Sequence, residues 1–335
     1  MDVEVGTILR AWRGPSDLER RRVRCVFSEC LNDNALGSTA GSPPPGAPPG
    51  GVAEVSATLR WLQGPGRVVR AVVDDLVTTL FPADCRVCDG PLLRAGVAPV
   101  CDACMGGIAA QATTLCRKCG EALDLEGVRF AGQFPAEGLL CAPCRMAAPE
   151  FERAVAYGVY QDGLREMVHL LKYERMSTVA RPLGGMLAQA IKMLEGEAGA
   201  ELTVIAVPLF PSKERLRGYN QAVLLADAAL AELKKMRPEW RLRAMHRAIR
   251  RVRDTESQFA LTPHGRRRNL KGAFAVTKGA ALMGREVLLV DDIYTTGATA
   301  RECARVLRRA GATKIWVATL ARAKREMVEF WDEKA

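Results

Sequence analysis

The sequence predicts an α/β protein: a parallel sheet flanked by helices, preceded by a small cysteine-built module and a disordered N-terminal extension. Three observations predict it. From residue 151 onward, apolar runs of strand length alternate with amphipathic helical stretches. Four Cys-x-x-Cys pairs fall between residues 85 and 144, where large apolar residues are scarce. A proline- and glycine-rich run, Ser42 to Gly51, sets the first 55 residues apart from the rest. The expected division is an extension at 1–55, a helix at 56–81, the cysteine module at 82–150, the α/β domain at 151–325 and a tail at 326–335.

Composition narrows the class. At 335 residues there is room for one large domain or two to three smaller ones, and the apolar fraction of 48% is that of a globular protein. No apolar run approaches the ~18 residues of a membrane span, and the N-terminus lacks the pattern of a secretory signal. Eleven cysteines in that context argue for metal sites or free thiols rather than disulfides. A net charge of +10 suggests an anionic partner without naming one.

In chain order, the extension carries the basic run Arg20-Arg21-Arg22 and two unassigned thiols, Cys25 and Cys30. Val69, Val72, Val73, Leu76 and Leu80 then share one helical face. Gly64-Pro65-Gly66 is no dinucleotide fingerprint, because Val69 stands where the third glycine belongs.

The cysteine pairs are Cys85/Cys88, Cys101/Cys104, Cys116/Cys119 and Cys141/Cys144, separated by 12, 11 and 21 residues. Each pair can form a knuckle whose thiolates converge on one ion, and two knuckles complete a tetrahedral zinc site. Two structural zinc ions are expected, which makes the module a double zinc ribbon. Sequential pairing and cross-braced pairing both remain open. Redox-active Cys-x-x-Cys is the chemical rival, but it normally comes singly on a βαβ unit. With so little core of its own, the module needs its metal to fold.

In the α/β part, strands are expected at 154–160, 202–207, 287–290 and 314–320. Helices are expected around Leu164, Val168 and Leu171, at 178–195, at 219–235 and at 299–310. Thr262 caps a further helix with Pro263 at its first position. Gly311 is placed to end the helix before it. The last three elements form a βαβ unit, with Val287–Val290 as the central strand and a right-handed crossover.

That central strand carries the most chemistry. It runs into Asp291 and Asp292, then Thr295, Thr296, Gly297, Ala298 and Thr299, and then a helix. Ligands of open α/β sheets bind beyond the carboxyl ends of the strands. A helix N-terminus suits a phosphate, a glycine lets the backbone wrap it, and the threonine hydroxyls can donate to it. The carboxylates repel a phosphate, but they can accept from ribose hydroxyls or sit near magnesium. The loop reads as a cradle for ribose 5-phosphate. A Walker B strand is the rival, yet the chain has no Gly-x-x-x-x-Gly-Lys-Ser/Thr to go with it.

A second zone, 237–271, holds eleven Lys/Arg against three Asp/Glu. A solvated basic face is the plain reading. Its arginines cluster beside turns, however, and such forks suit phosphate or a nucleic-acid backbone. Arg250, Arg251, Arg266, Arg267 and Lys271 are the nucleic-acid candidates. Trp240 beside them reads as a core residue rather than a stacking platform.

The Asp291–Thr299 stretch resembles the PRPP-binding motif of type I phosphoribosyltransferases at every constrained position. With the ribbons before it, the chain from about 80 to 323 resembles the ComF family, the competence protein F group. Further matching blocks are Leu171-Lys172-Tyr173, Val207-Pro208-Leu209 with Pro211, and Arg217-Gly218-Tyr219-Asn220-Gln221-Ala222. Arg251-Val252-Arg253-Asp254-Thr255 with Gln258, and Arg267-Arg268-Asn269-Leu270-Lys271-Gly272-Ala273-Phe274, complete the set.

The resemblance implies a type I phosphoribosyltransferase-like fold and PRPP, or a related ribose 5-phosphate, bound with magnesium. It also implies a cytoplasmic role in natural competence, DNA uptake and the handling of internalised single-stranded DNA, beside uptake proteins at the inner membrane. By motif match, Asp291 and Asp292 meet the ribose, and Thr295 to Thr299 the 5′-phosphate. The segment holding Pro208 and Lys213 takes the place of the pyrophosphate loop, with Phe210 where family members often carry His. Lys172, Tyr219, Asn220, Arg253 and Arg268 line the cleft. Two other readings stay open: a non-catalytic nucleic-acid or regulatory module that keeps the cradle as a ligand sensor, and an active transferase on an unknown nitrogen acceptor. No glutamine-amidotransferase domain accompanies the motif.

Overall fold

The computed structural model describes residues 83–92, 98–111, 114–123, 138–254, 265 and 269–324. The extension, the helix expected at 56–81, the helix expected from Thr262, the C-terminal tail and Arg266, Arg267 and Arg268 lie outside the described residues.

Two short helices, α1 (Asp102–Gly106) and α2 (Ala142–Met146), belong to the cysteine module. There follow β1 (Arg153–Val159), α3 (Asp162–Tyr173), α4 (Ala180–Lys192), β2 (Glu201–Ala206), α5 (Pro211–Arg217), α6 (Gln221–Met236) and β3 (Arg241–Ala244). The chain then forms β4 (Ile249–Arg251), β5 (Phe274–Val276), β6 (Glu286–Tyr294), α7 (Ala298–Arg309) and β7 (Lys314–Arg322). Five strands make one sheet in the order β1-β7-β6-β2-β3, every pair parallel. β4 and β5 pair antiparallel apart from it.

β6 is the middle strand because its residues suit burial on both faces. Val287, Leu288, Leu289 and Val290 have no exposed surface, as parallel strands covered on both sides require. On one face, Leu171, Leu183, Leu187, Ile191, Leu225 and Leu233 from α3, α4 and α6 fill the core. On the other, Cys303 and Leu307 of α7 pack with Phe151, Leu270 and Phe274.

Several boundaries differ from the sequence pattern, each for a local reason. β6 runs on through both aspartates to Tyr294, because Asp291, Ile293 and Tyr294 still pair with Thr319, Ala321 and Arg322 of β7. α6 starts at Gln221 because the Asn220 side chain accepts from the Ala222 N–H at 2.9 Å. The stretch expected as one helix from 178 opens as a 3₁₀ turn, Ser177–Val179. α7 does end before Gly311, whose φ of 93° suits its place two residues past Arg309.

The cysteine module covers the free edge of β1. The Gln111 N–H donates to the Tyr157 carbonyl at 2.8 Å, and the Ala154 N–H to the Lys118 carbonyl at 2.9 Å. An unpaired strand edge is thereby closed.

Candidate functional site

The loop after β6 is built around Gly297. Its φ of 74° is left-handed, and a Cβ there would meet the Tyr294 hydroxyl at 2.1 Å. Only glycine fits. The Gly297 carbonyl accepts the first bond of α7 from the Arg301 N–H at 2.9 Å, and no side chain caps the helix start. The N–H groups of that first turn therefore keep their capacity for an external acceptor. Beside them the Thr296 hydroxyl oxygen is buried without a hydrogen-bond partner among the described residues. Thr295, Thr299, Ala298 and Asp291 line a small cavity at this loop.

Behind the loop, Asp292 is 4% exposed. Its Oδ2 lies 3.0 Å from Nζ of Lys172, in the last turn of α3. Burial works against the Lys172 ammonium, yet the Asp292 carboxylate outweighs it and lifts the group above its ordinary range. Asp291 accepts from the Asp292 N–H at 2.9 Å. Burial, with repulsion from Asp292 added, raises its carboxyl to about 7. A divalent cation at this carboxylate would relieve both causes, so the donor chemistry fits magnesium.

The remaining cleft candidates divide. The Tyr219 hydroxyl donates to the Leu171 carbonyl at 2.6 Å, next to Lys172. Asn220 donates from Nδ2 to the Val207 carbonyl at 3.0 Å while capping α6, so it fixes the end of β2 against that helix. Pro208 follows directly, and Lys213 in α5 lies 3.8 Å from Asp254. Arg253 donates from one nitrogen, Nη2, to two carbonyls, Asn269 at 2.5 Å and Lys271 at 2.9 Å, where it pins a loop. Arg250 and Lys271 are exposed. Arg251, its strand neighbour, is half-buried with its guanidinium 5.6 Å from the Phe274 ring centre.

The eight paired cysteines gather sequentially: Cys85, Cys88, Cys101 and Cys104 in one group, Cys116, Cys119, Cys141 and Cys144 in the other. Within each group the four sulfurs lie within 4.8 Å of one another. The Cys88–Cys101 and Cys119–Cys141 sulfurs are 3.8 and 3.6 Å apart. Zinc–thiolate bonds of about 2.3 Å in a tetrahedron put sulfurs about 3.8 Å apart, so both groups fit a zinc ion. Backbone N–H groups point at the sulfurs as well, Cys101 to Cys85 and Cys141 to Cys116, each at 3.3 Å.

A phosphoribosyl transferase domain model matches residues 220–335. DNA utilization protein YhgH of Escherichia coli O157:H7 is 32% identical over 245 residues, covering 72% of this chain and 97% of that protein. The protein of the same name from Salmonella typhimurium is 31% identical over 244 residues, with the same shares covered. Competence protein F of Haemophilus influenzae is 30% identical over 231 residues, 67% of this chain and 96% of its own length. The chain belongs to the ComF family.

Sequence reasoning missed some of what shapes this ComF site. Arg322, at the end of β7, is 5% exposed and stacks its guanidinium 4.4 Å from the Tyr294 ring centre. An arginine at a strand end reads as a boundary. Its only signal is a register opposite Tyr294, which cannot be known before the sheet is. Glu302 was also unread: it accepts from the Gly272 N–H at 2.7 Å and pairs with Arg305. A larger cavity, about 760 Å³, lies at the opposite ends of the strands, by Leu202, Leu242 and Arg285. Trp240 lines it but donates its indole N–H to the Gly199 carbonyl at 2.9 Å, a framework contact. Among the described residues, no helix is long and apolar enough to cross a membrane.

Proposed function

We propose that this chain is a PRPP-binding ComF protein that serves natural competence and DNA utilisation in the cytoplasm. One observation carries the reading. The ion pair of the buried Asp292 with Lys172, the raised Asp291 carboxyl and the uncapped start of α7 converge on one glycine loop. Asp291 and Asp292 take the ribose hydroxyls and magnesium. Thr295 to Thr299 take the 5′-phosphate by backbone N–H and hydroxyl donation. The segment from Pro208 to Lys213 flanks the pyrophosphate. The names of its relatives, DNA utilization protein and Competence protein F, support the cellular role.

Single-stranded DNA is the macromolecular partner in this reading, held by Arg250, Lys271 and their basic neighbours. Its binding should weaken steeply with salt. The cysteine module at 82–150 carries two structural zinc ions, and residues 151–325 carry the phosphoribosyl site.

Calorimetric titration of PRPP with magnesium into zinc-loaded protein tests the proposal. The wild type is expected to bind, and the Asp291→Ala/Asp292→Ala double variant to lose binding. A folded, zinc-replete wild type that gives no heat with PRPP overturns the phosphoribosyl reading. Pyrophosphate release in the presence of candidate nitrogen acceptors then separates a transferase from a ligand sensor.

A further inference from the structure

The second cysteine cluster and the glycine loop share a side chain. The Arg322 Nη1 donates to the Cys119 carbonyl at 2.8 Å, and its Nη2 lies 3.6 Å from the Cys119 sulfur while pairing with Glu121. The same guanidinium lies over the Tyr294 ring, and the Tyr294 hydroxyl sits where any side chain at Gly297 would go. Cluster, arginine, tyrosine and loop are thus in unbroken contact. Phe151 meets the other side of Tyr294 edge-on, with ring centres 6.4 Å apart.

A second strut runs in parallel. Arg301, in the first turn of α7, donates to the Ala147 carbonyl at 2.8 Å, three residues past Cys144. One end of the loop therefore reaches the second cluster through Arg322, and the other rests on the chain just past it. The first cluster reaches the sheet elsewhere, through Ile108, whose carbonyl accepts from the Tyr157 hydroxyl at 3.3 Å, and through Gln111.

We propose that Arg322 is a positioning residue that couples metal occupancy of the Cys116/Cys119/Cys141/Cys144 cluster to anion affinity at the Gly297 loop. The proposal rests on the cradle reading above. A metal-held Cys119 fixes the Arg322 fork, the fork fixes Tyr294, and Tyr294 sets the height of the loop backbone. Linkage makes the effect reciprocal: whatever factor zinc adds to ligand affinity, ligand adds to zinc affinity at that cluster. The first cluster, for which no hydrogen bond to Arg322 or the loop is seen among the described residues, supplies an internal control.

The experiment titrates the two zinc equivalents of the full chain with a zinc-selective chromophoric chelator, with and without saturating PRPP and magnesium. PRPP binding is followed by calorimetry on the same preparation. One equivalent is expected to tighten by about fivefold or more on ligand binding, within the usual range for coupled sites, and the other to stay unchanged. In Arg322→Met, which keeps apolar cover on Tyr294 but lacks the fork, the ligand-induced shift is expected to vanish.

PRPP binding with both zinc affinities unmoved overturns the coupling and leaves the cradle standing. A shift of full size in Arg322→Met overturns the role of Arg322. Absence of PRPP binding overturns both the coupling and the cradle. Should Arg322→Met not fold, Arg322→Lys, which keeps the charge without the fork, takes its place.

Discussion

The two cysteine ribbons share one local structure and differ in what surrounds them. In each, the first cysteine N–H reaches five residues on, Cys85 to the Gly90 carbonyl and Cys116 to the Glu121 carbonyl, both at 2.7 Å. Leu92 bonds back to Ala83, and Leu123 to Thr114, at 2.9 and 2.8 Å. A short helix then begins at the third cysteine, Cys101 or Cys141. Yet Cys88 is exposed and Cys101 and Cys104 half-buried, whereas all four thiols of the second group are buried. The same ligand chemistry thus makes a partly exposed clip, anchored to the core by the buried Cys85, in one case and a wholly buried cluster in the other. Neighbours, not ligands, decide which.

The sharpest test of that contrast removes one thiol from each. Cys144→Ser is expected to destabilise the whole fold by on the order of 4–5 kcal/mol, a fall in melting temperature of about 10 °C or more by scanning calorimetry. Cys88→Ser is expected to lose one zinc equivalent and leave the main transition within about 2 °C. Equal falls would break the comparison.

A smaller test swaps the knuckle tips. Gly120, at φ 69°, would bring a Cβ within 3.0 Å of the Ala154 carbonyl oxygen. Asp89, at φ 56°, occupies the matching place in the first ribbon and carries a side chain. Gly120→Ala should cost about 1–3 kcal/mol in urea unfolding, and Asp89→Gly should stay within about 0.5 kcal/mol of the wild type.

The smallest effect starts at the loop and involves neither ribbon. With a folded value of about 7 against the ordinary carboxylate value, Asp291 holds a proton longer in the folded state. Its contribution to stability is therefore fully present at low pH and is lost as pH rises through 7. Between pH 6 and 8 the wild type should lose about 1 kcal/mol relative to Asp291→Asn. A difference that is flat across this range would mean that burial and Asp292 do not hold the carboxyl as described.

The stretch Val287–Thr299 and the cysteine pairs were legible because their chemistry is local. A buried parallel strand must be apolar throughout, and a metal knuckle fixes its own spacing. β3 was not legible: Arg241-Leu242-Arg243-Ala244 is exposed at three of its four positions, so it has no apolar pattern to show. β4 hid in the basic zone for the same reason, with Ile249 buried and Arg250 exposed. Sequential pairing of the cysteines was one of two open arrangements, and only the folded distances decide it. Nor could sequence show that Arg253 turns to carbonyls or that Arg322 faces Cys119, since both depend on segments far away in the chain.

The Cys119–Arg322 contact has a consequence for synthesis. The partners are 203 residues apart. At about 5–20 residues per second, a ribosome needs roughly 10–40 s to get from one to the other. All four cysteines of the second cluster are made before the strand that will cover them. For that interval the wall that Arg322 will cover faces solvent. An ion that arrives in that interval meets thiols that the finished fold buries.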